Sequence, residues 1–325
     1  MKKVLITEPI HQAGLAMLQD KVEVLGPDLM AWGGYKKFLP EISGIIVRAW
    51  RIDDLFYDQG QSLEIISKHG TGVDNIDIPR ASKKGIAVTN TPTANVNAVA
   101  EYAVTLMLSL TRRVCEAAAS MRSEGGDDGK YRIIGSELYG KTLGIIGLGN
   151  IGKSVARKCI DGFGMRVIGF DPYADAEAVS QSGITPVADV DDILRRSDYI
   201  TLHLPLTESS RDLITLREIR LMKSTAILVN TSRGGIVNEK DLARALRENL
   251  IAGAAVDVFE QEPPGPDNPL FTAPDVLLTP HIGGQTGESL KRMAEQSVNN
   301  LLLFLDGKKP ETLLNPEVLR RGQTS

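Results

Sequence analysis

The chain has 325 residues, 42% hydrophobic, 24% charged and 5% aromatic, a profile of an α/β protein rather than a disordered one and long enough for two domains. Its formal net charge of −4 leaves no basic surplus to neutralise phosphates, which argues against nucleic-acid binding. Two cysteines, Cys115 and Cys159, cannot build a disulfide framework; both lie in helix-like stretches and are expected to be reduced packing residues.

Reading from the N-terminus, the apolar run Val4-Leu5-Ile6 stops at Thr7-Glu8-Pro9, too short for a signal-peptide core. No segment reaches the ~18 uncharged apolar residues of a membrane span, so a cytoplasmic protein without a membrane partner is expected. Residues 4–6, 22–25, 44–47, 63–66 and 86–88 read as strands, with helices over 10–20 and 77–84 between them. This alternation predicts parallel strands joined by crossover helices. From Asn95 to about Met121 the pattern becomes one long Ala- and Leu-rich helix, apolar enough to be buried against the second domain or a partner chain. Glycines and charges at 125–130 mark a loop. A second series of strands follows at 142–147, 165–170, 199–204, 225–230, 252–258 and 275–279, then a helix from Gly287 to Asp306 and a polar tail expected to fray after Pro316. The fold class expected is α/β, with two Rossmann-like or flavodoxin-like domains built on parallel sheets. A nucleotide domain (99–285) would be inserted into a substrate domain made of 1–98 and 286–325.

The strand at 142–146 runs into Gly147-Leu148-Gly149-Asn150-Ile151-Gly152, a Gly-x-Gly-x-x-Gly turn opening a helix. Gly147 permits the tight turn, Gly149 lets backbone approach a pyrophosphate, and Gly152 lets the helix pack on the strand. The next strand ends in Asp171 at about the ~20-residue spacing of a ribose-binding acid. A carboxylate there accepts from both ribose hydroxyls and repels a 2′-phosphate, and Pro172-Tyr173 brings no adjacent Arg, so NAD is favoured over NADP. The plainer alternatives are a tight turn without ligand and a strand-end turn acid.

Three residues far apart in the chain each follow a strand: Arg233 in Asn230-Thr231-Ser232-Arg233-Gly234-Gly235, Glu262 before Pro263, and His281 in Pro280-His281-Ile282-Gly283-Gly284. Oxidation of a 2-hydroxy acid needs a base for the hydroxyl proton, a carboxylate to fix that base, and a cation for the substrate carboxylate. Histidine, glutamate and arginine suit those tasks. Singly, they could equally be a loop imidazole capping carbonyls, a solvated acid and a surface cation, and spacing alone does not bring them together.

These stretches, with Gly70-Thr71-Gly72-Val73-Asp74-Asn75, Leu202-His203-Leu204-Pro205 and Asp257-Val258-Phe259, resemble the D-isomer-specific 2-hydroxyacid dehydrogenases. The similarity is greatest to the phosphoglycerate dehydrogenase and hydroxypyruvate/glyoxylate reductase branch. The resemblance implies His281 as acid/base, Glu262 as its partner and Arg233 as substrate-binding cation. It implies a cofactor site of Gly147, Gly149, Asn150, Ile151 and Gly152 at the pyrophosphate, Asp171 at the ribose, and His203, Leu204 and Pro205 on the adenine side. Thr71, Thr231, Ser232, Asp257, Gly283 and Gly284, with Arg233 and His281, would surround the nicotinamide. Arg48, Thr71, Gly72, Val73 and Asn95 would add substrate contacts. Taken alone, Arg48 could be a surface cation and Asn95 a helix N-cap.

By the same resemblance the helix after Asn95 carries a homodimer interface. Hinges are expected near 97–99 and 284–287, because only there would the chain cross between the two domains. No metal is implied. Val47-Arg48-Ala49-Trp50 departs from the Val-Arg-Ser usual in phosphoglycerate enzymes, removing a hydroxyl donor and adding a bulky ring. Tyr131-Arg132 stands where related chains often have a Trp-containing segment, and no regulatory C-terminal domain is expected beyond 325. The physiological substrate is thus left open among 3-phosphoglycerate, glycerate or hydroxypyruvate, and glyoxylate. The alternative of a dinucleotide-sensing corepressor of the same fold, similar to the C-terminal binding proteins, finds little support in a chain with an intact triad. A formate dehydrogenase would have Gln in place of Glu262.

Overall fold

A computed structural model describes residues 1–123 and 131–321. The loop expected at 125–130 lies outside the described residues. The chain divides into two compact units, Met1–Asn95 with Gln285–Ser325, and Val96–Gly284, where the sequence suggested boundaries at 98/99 and 285/286.

The first unit is a five-stranded parallel sheet in the order β2-β1-β3-β4-β5, with β1 Lys3–Ile6, β2 Glu23–Leu25, β3 Ile42–Val47, β4 Ile65–Lys68 and β5 Ala87–Thr89. This is the flavodoxin-like order. Strands β1, β3, β4 and β5 are mostly apolar and buried, because both faces of the sheet are covered there, while the edge strand β2 is largely exposed. Leu5, Ile45, Val47, Ile66 and Val88 face one core, packed with Phe56, Tyr57 and Leu39. Val4, Ile6, Ile46, Ile65 and Ala87 face the other, covered by Leu18 and, from the C-terminal helix Gly287–Leu305, Val298 and Leu301. Both chain ends therefore build one core. The tail does not fray directly after Pro316: Val318–Arg321 is helical, and Val318 is buried in that second core.

The second unit is a seven-stranded parallel sheet in the order β12-β11-β10-β9-β6-β7-β8. Its strands are β6 Thr142–Ile146, β7 Arg166–Phe170, β8 Ile184–Pro186, β9 Tyr199–Leu202, β10 Ile227–Asn230, β11 Gly253–Val256 and β12 Val276–Leu278. The sequence missed β8, three residues long and ending in Pro186, which an edge strand tolerates. Chain order reverses between β6 and β9, the switch point at which open sheets of this kind bind ligands.

The expected single helix from Asn95 to Met121 is two helices, Val96–Thr111 and Val114–Ser123. Arg113 takes a left-handed φ of 50°, and the Thr111 carbonyl accepts the Ser136 N–H at 3.0 Å instead of continuing the helix. The first helix buries Ala100, Ala103, Leu106 and Met107 in its own unit's core beside Val155, Cys159 and Val229. Cys159 is a packing residue as expected, whereas Cys115 is exposed, on a second helix with no buried side chain among its described residues.

Candidate active site

The loops leaving the C-terminal ends of the second unit's strands carry most of the singled-out residues. Gly147, one residue past β6, has φ +95°, and a Cβ there would lie 2.3 Å from the His203 carbonyl oxygen. A Cβ on Gly152 would lie 2.1 Å from the Gly147 oxygen, so these two glycines are demanded by the fold. Gly149 is not: its φ is −69° and no atom lies within 4 Å of where a Cβ would be. The requirement for glycine there comes from whatever approaches the turn. The 14-residue helix Asn150–Phe163 begins at Gly149 with no side-chain cap, which leaves its first N–H groups and dipole end to an anion. Asp171 sits within this turn, its Oδ2 accepting the Leu148 N–H and its Oδ1 the Tyr173 N–H, each at 2.9 Å.

His203, past β9, donates its backbone N–H to Ile146 at 2.8 Å, and its ring Nε2 lies 3.0 Å from Thr201 Oγ1. Burial pushes its pKa down to about 3, so it adds shape without charge. Leu204 is half-buried and Pro205 exposed beside it.

Past β10, Asn230 organises the next loop. Its amide donates to the Arg233 carbonyl at 2.9 Å, and its oxygen accepts the Ser232 N–H at 3.1 Å and hydroxyl at 2.9 Å. Gly234 is pressed against the following loop, where a Cβ would lie 1.9 Å from the Phe259 carbonyl carbon. Backbone contact thus brings Arg233 beside Glu262. The Thr231 hydroxyl is buried with no hydrogen-bond partner among the described residues. That orphaned donor, the open position at Gly149 and the uncapped helix fit a dinucleotide lying across these strand ends.

Glu262 and His281 are joined: Nδ1 of the ring lies 2.7 Å from Oε2, while Oε1 accepts the Phe259 N–H at 3.1 Å. Burial would raise the Glu262 pKa, but the His281 ring, the Phe259 N–H and the Arg233 charge outweigh it and hold the carboxyl below its ordinary value. His281 has φ +52°, a left-handed conformation uncommon outside glycine. Asp257 holds that loop in place. Its carbonyl accepts the His281 N–H at 2.7 Å, Oδ1 accepts from the Thr279 hydroxyl at 2.7 Å and the Ile282 N–H at 2.9 Å, and Oδ2 accepts the Gly283 N–H at 2.9 Å. Burial nonetheless leaves the Asp257 pKa raised. Gly284 ends this unit.

The remaining residues belong to the first unit. Thr71 donates its hydroxyl to Asn95 Oδ1 at 2.8 Å and its carbonyl accepts from Asn90 Nδ2 at 2.8 Å. Gly72 and Val73 are half-buried in the same segment. Arg48 follows β3, its guanidinium donating to the Pro9 carbonyl at 2.6 Å and to Gln285 Oε1 at 3.3 Å. Arg233, Glu262 and His281 are therefore assembled within one unit, and Arg48, Thr71 and Asn95 within the other. Sequence reasoning missed Asn230, Thr279, Glu8 and Asn75, which organise these loops. The signal for Asn230, Thr279 and Glu8 was a polar residue closing or following an apolar run; Asn75, after Gly72-Val73-Asp74, lacked even that.

Among the described residues no cluster of His, Cys, Asp and Glu could hold a metal ion, and no helix is long and apolar enough to cross a membrane. A doubly wound sheet with a glycine turn at its switch point and acid, base and cation on adjoining strand ends defines a dinucleotide-dependent oxidoreductase. Residues 104–283 match the NAD binding domain of the D-isomer specific 2-hydroxyacid dehydrogenases. The chain is 39% identical over 316 residues to the D-3-phosphoglycerate dehydrogenase of Methanocaldococcus jannaschii, covering 97% of this chain and 60% of that protein. It is 38% identical over 327 residues to the glyoxylate reductase of Thermofilum pendens, covering 98% of this chain and 96% of that protein. The solved glyoxylate reductase of Paecilomyes thermophila superposes with a TM-score of 0.83 at 30% identity, over 96% of this chain and 98% of that one. The chain belongs to the D-isomer specific 2-hydroxyacid dehydrogenase family.

Proposed function

We propose that the protein interconverts a small D-2-hydroxy acid and its 2-oxoacid, with NAD preferred over NADP. The observation that carries this reading is the His281–Glu262 pair at 2.7 Å beside the Arg233 loop. NADH, when bound, supplies the hydride. His281, with Nδ1 directed to Glu262, keeps Nε2 for the substrate oxygen, giving a proton in reduction and taking one in oxidation. Glu262 fixes the ring and stabilises its charged form. Arg233 holds the substrate carboxylate and polarises the C2 carbonyl, a task its planar fork suits. Thr231, Ser232, Asp257, Gly283 and Gly284 line the nicotinamide side, and Asp171 accepts from the ribose hydroxyls. Arg48, Thr71, Gly72, Val73 and Asn95 complete the substrate site. The substrate class comprises glyoxylate, hydroxypyruvate and 3-phosphohydroxypyruvate, in a cytoplasmic enzyme acting as a homodimer.

The test is loss of NADH absorbance with a panel of those three acids, pyruvate and a bulky aromatic oxoacid, with NADPH as the parallel cofactor. Turnover of one or two small members with NADH is expected. Silence across the panel with NADH still binding would overturn the reading.

A further inference from the structure

Glu8 stands two residues past β1, and its carboxylate gathers the N–H groups of three consecutive residues. Oε2 accepts from Arg48 at 3.0 Å, while Oε1 accepts from Ala49 at 2.5 Å and from Trp50 at 2.8 Å. The Thr7 hydroxyl donates to Oε2 as well. Successive backbone N–H groups turned to one point make an anion-holding concavity, here filled by the protein's own carboxylate. The opposite edge of the loop is held too. Lys68 Nζ donates to the Arg48 carbonyl and, at 2.7 Å, to Asn75 Oδ1. Asn75 Nδ2 donates to the Arg48 carbonyl at 3.2 Å and to the Trp50 carbonyl at 2.6 Å. Ala49 and Trp50 are exposed, so little apolar burial holds this loop. Charged and polar groups hold it instead. Pro9, next to Glu8, meanwhile accepts from the Arg48 guanidinium.

We propose that Glu8 is a positioning residue for substrate capture, holding the 48–50 loop in the geometry from which Arg48 meets the substrate. This rests on the proposed function, in which Arg48 touches the 2-oxoacid. Hydride and proton transfer depend on the other unit's Arg233, Glu262 and His281, so loss of Glu8 acts on substrate KM and not on the chemical step.

The test is steady-state kinetics of the full chain with whichever panel acid turns over, comparing Glu8→Gln with Arg48→Ala. Glutamine keeps the size but turns an NH₂ toward N–H donors. Loss of hydrogen bonds to a charged group predicts a rise in substrate KM of roughly tenfold or more, with kcat within about twofold and the KM for NADH unchanged. If Arg48→Ala raises substrate KM and Glu8→Gln does not, the positioning role is overturned and the site reading stands. If Arg48→Ala leaves KM unchanged, Arg48 is not a substrate contact and both fall. A fall in kcat together with weaker NADH binding in Glu8→Gln would mark a general structural role and overturn the proposal. Should Glu8→Gln not fold, Asn75→Ala releases the carbonyl edge of the same loop, and an unchanged substrate KM there overturns it equally.

Discussion

Glu262 divides its carboxylate between the chain it belongs to and the ring it orients: Oε1 accepts the Phe259 N–H, three residues back, and Oε2 meets His281 Nδ1 at 2.7 Å. The first contact fixes the carboxylate, so the second fixes the ring. His281 is held from the other side by its backbone N–H on Asp257. The ring is thus held by two strand-end loops, those that follow β11 and β12.

Replacing His281 with Ala removes the proton carrier while leaving the glycine turn and Asp171 untouched. We expect kcat to fall roughly 10²–10⁴-fold, the range of general acid–base catalysis, with NADH affinity unchanged in a fluorescence titration. Turnover near the parent value would remove His281 from the mechanism.

The Glu262 carboxyl sits below its ordinary value of 4.5 in the fold. Its stabilising contribution is therefore present above that value and is lost as pH falls through the lowered one. In thermal melts against pH, the parent should exceed Glu262→Gln near neutrality, and the gap should close below about pH 4.5. A gap independent of pH would show that the charge does not hold the loop.

Gly149 and Gly152 should part company. With a Cβ position 2.1 Å from the Gly147 oxygen, Gly152→Ala must shift the helix and is expected to lower Tm by several degrees or prevent folding. Gly149→Ala meets no protein atom within 4 Å, so Tm should hold while NADH affinity drops. Equal affinity in Gly149→Ala would mean that no ligand approaches the turn there.

Asp171→Ala should cost NADH affinity roughly 10–100-fold, the range for hydrogen bonds to a charged group, and narrow the preference over NADPH by removing repulsion of the 2′-phosphate. The ratio of kcat/KM for the two cofactors measures this. An unchanged ratio would take cofactor choice away from Asp171.

His69 is 4% exposed, and burial with the Arg48 charge pushes its pKa from 6.5 down to about 4. Such a group favours the fold above pH 6.5, and its contribution falls away toward pH 4. Linkage over that span is worth about 3 kcal/mol. Denaturant unfolding of His69→Phe should show a flatter loss of stability between those pH values than the parent. Parallel curves would show that His69 is not the group that titrates.

Much of this architecture was legible in the chain. Apolar runs such as Gly44–Val47 and Leu143–Ile146 marked strands because parallel sheets are covered on both faces, and the turn at Gly147–Gly152 carried its own chemistry. The misreadings have identifiable causes. The break at Arg113 depends on Ser136 taking a carbonyl from 25 residues away in sequence, and β8 is three residues long. The exposure of Cys115 follows from that break, which sets its helix off from the buried one.

By itself the sequence determined the parallel α/β class, the glycine turn with its acid, and the residue types able to carry the chemistry, since these follow from periodicity and short-range backbone demands. Tertiary structure alone decided that Glu262 and His281 meet and that the Arg233 loop lies against theirs. Their neighbourhood is made by Gly234 against Phe259 and by Asp257 holding the His281 loop, contacts between strand ends that no spacing along the chain encodes. The grip of Glu8 on residues 48–50 has the same origin: parallel pairing of β1 with β3 brings an acid to backbone donors 40 residues further on.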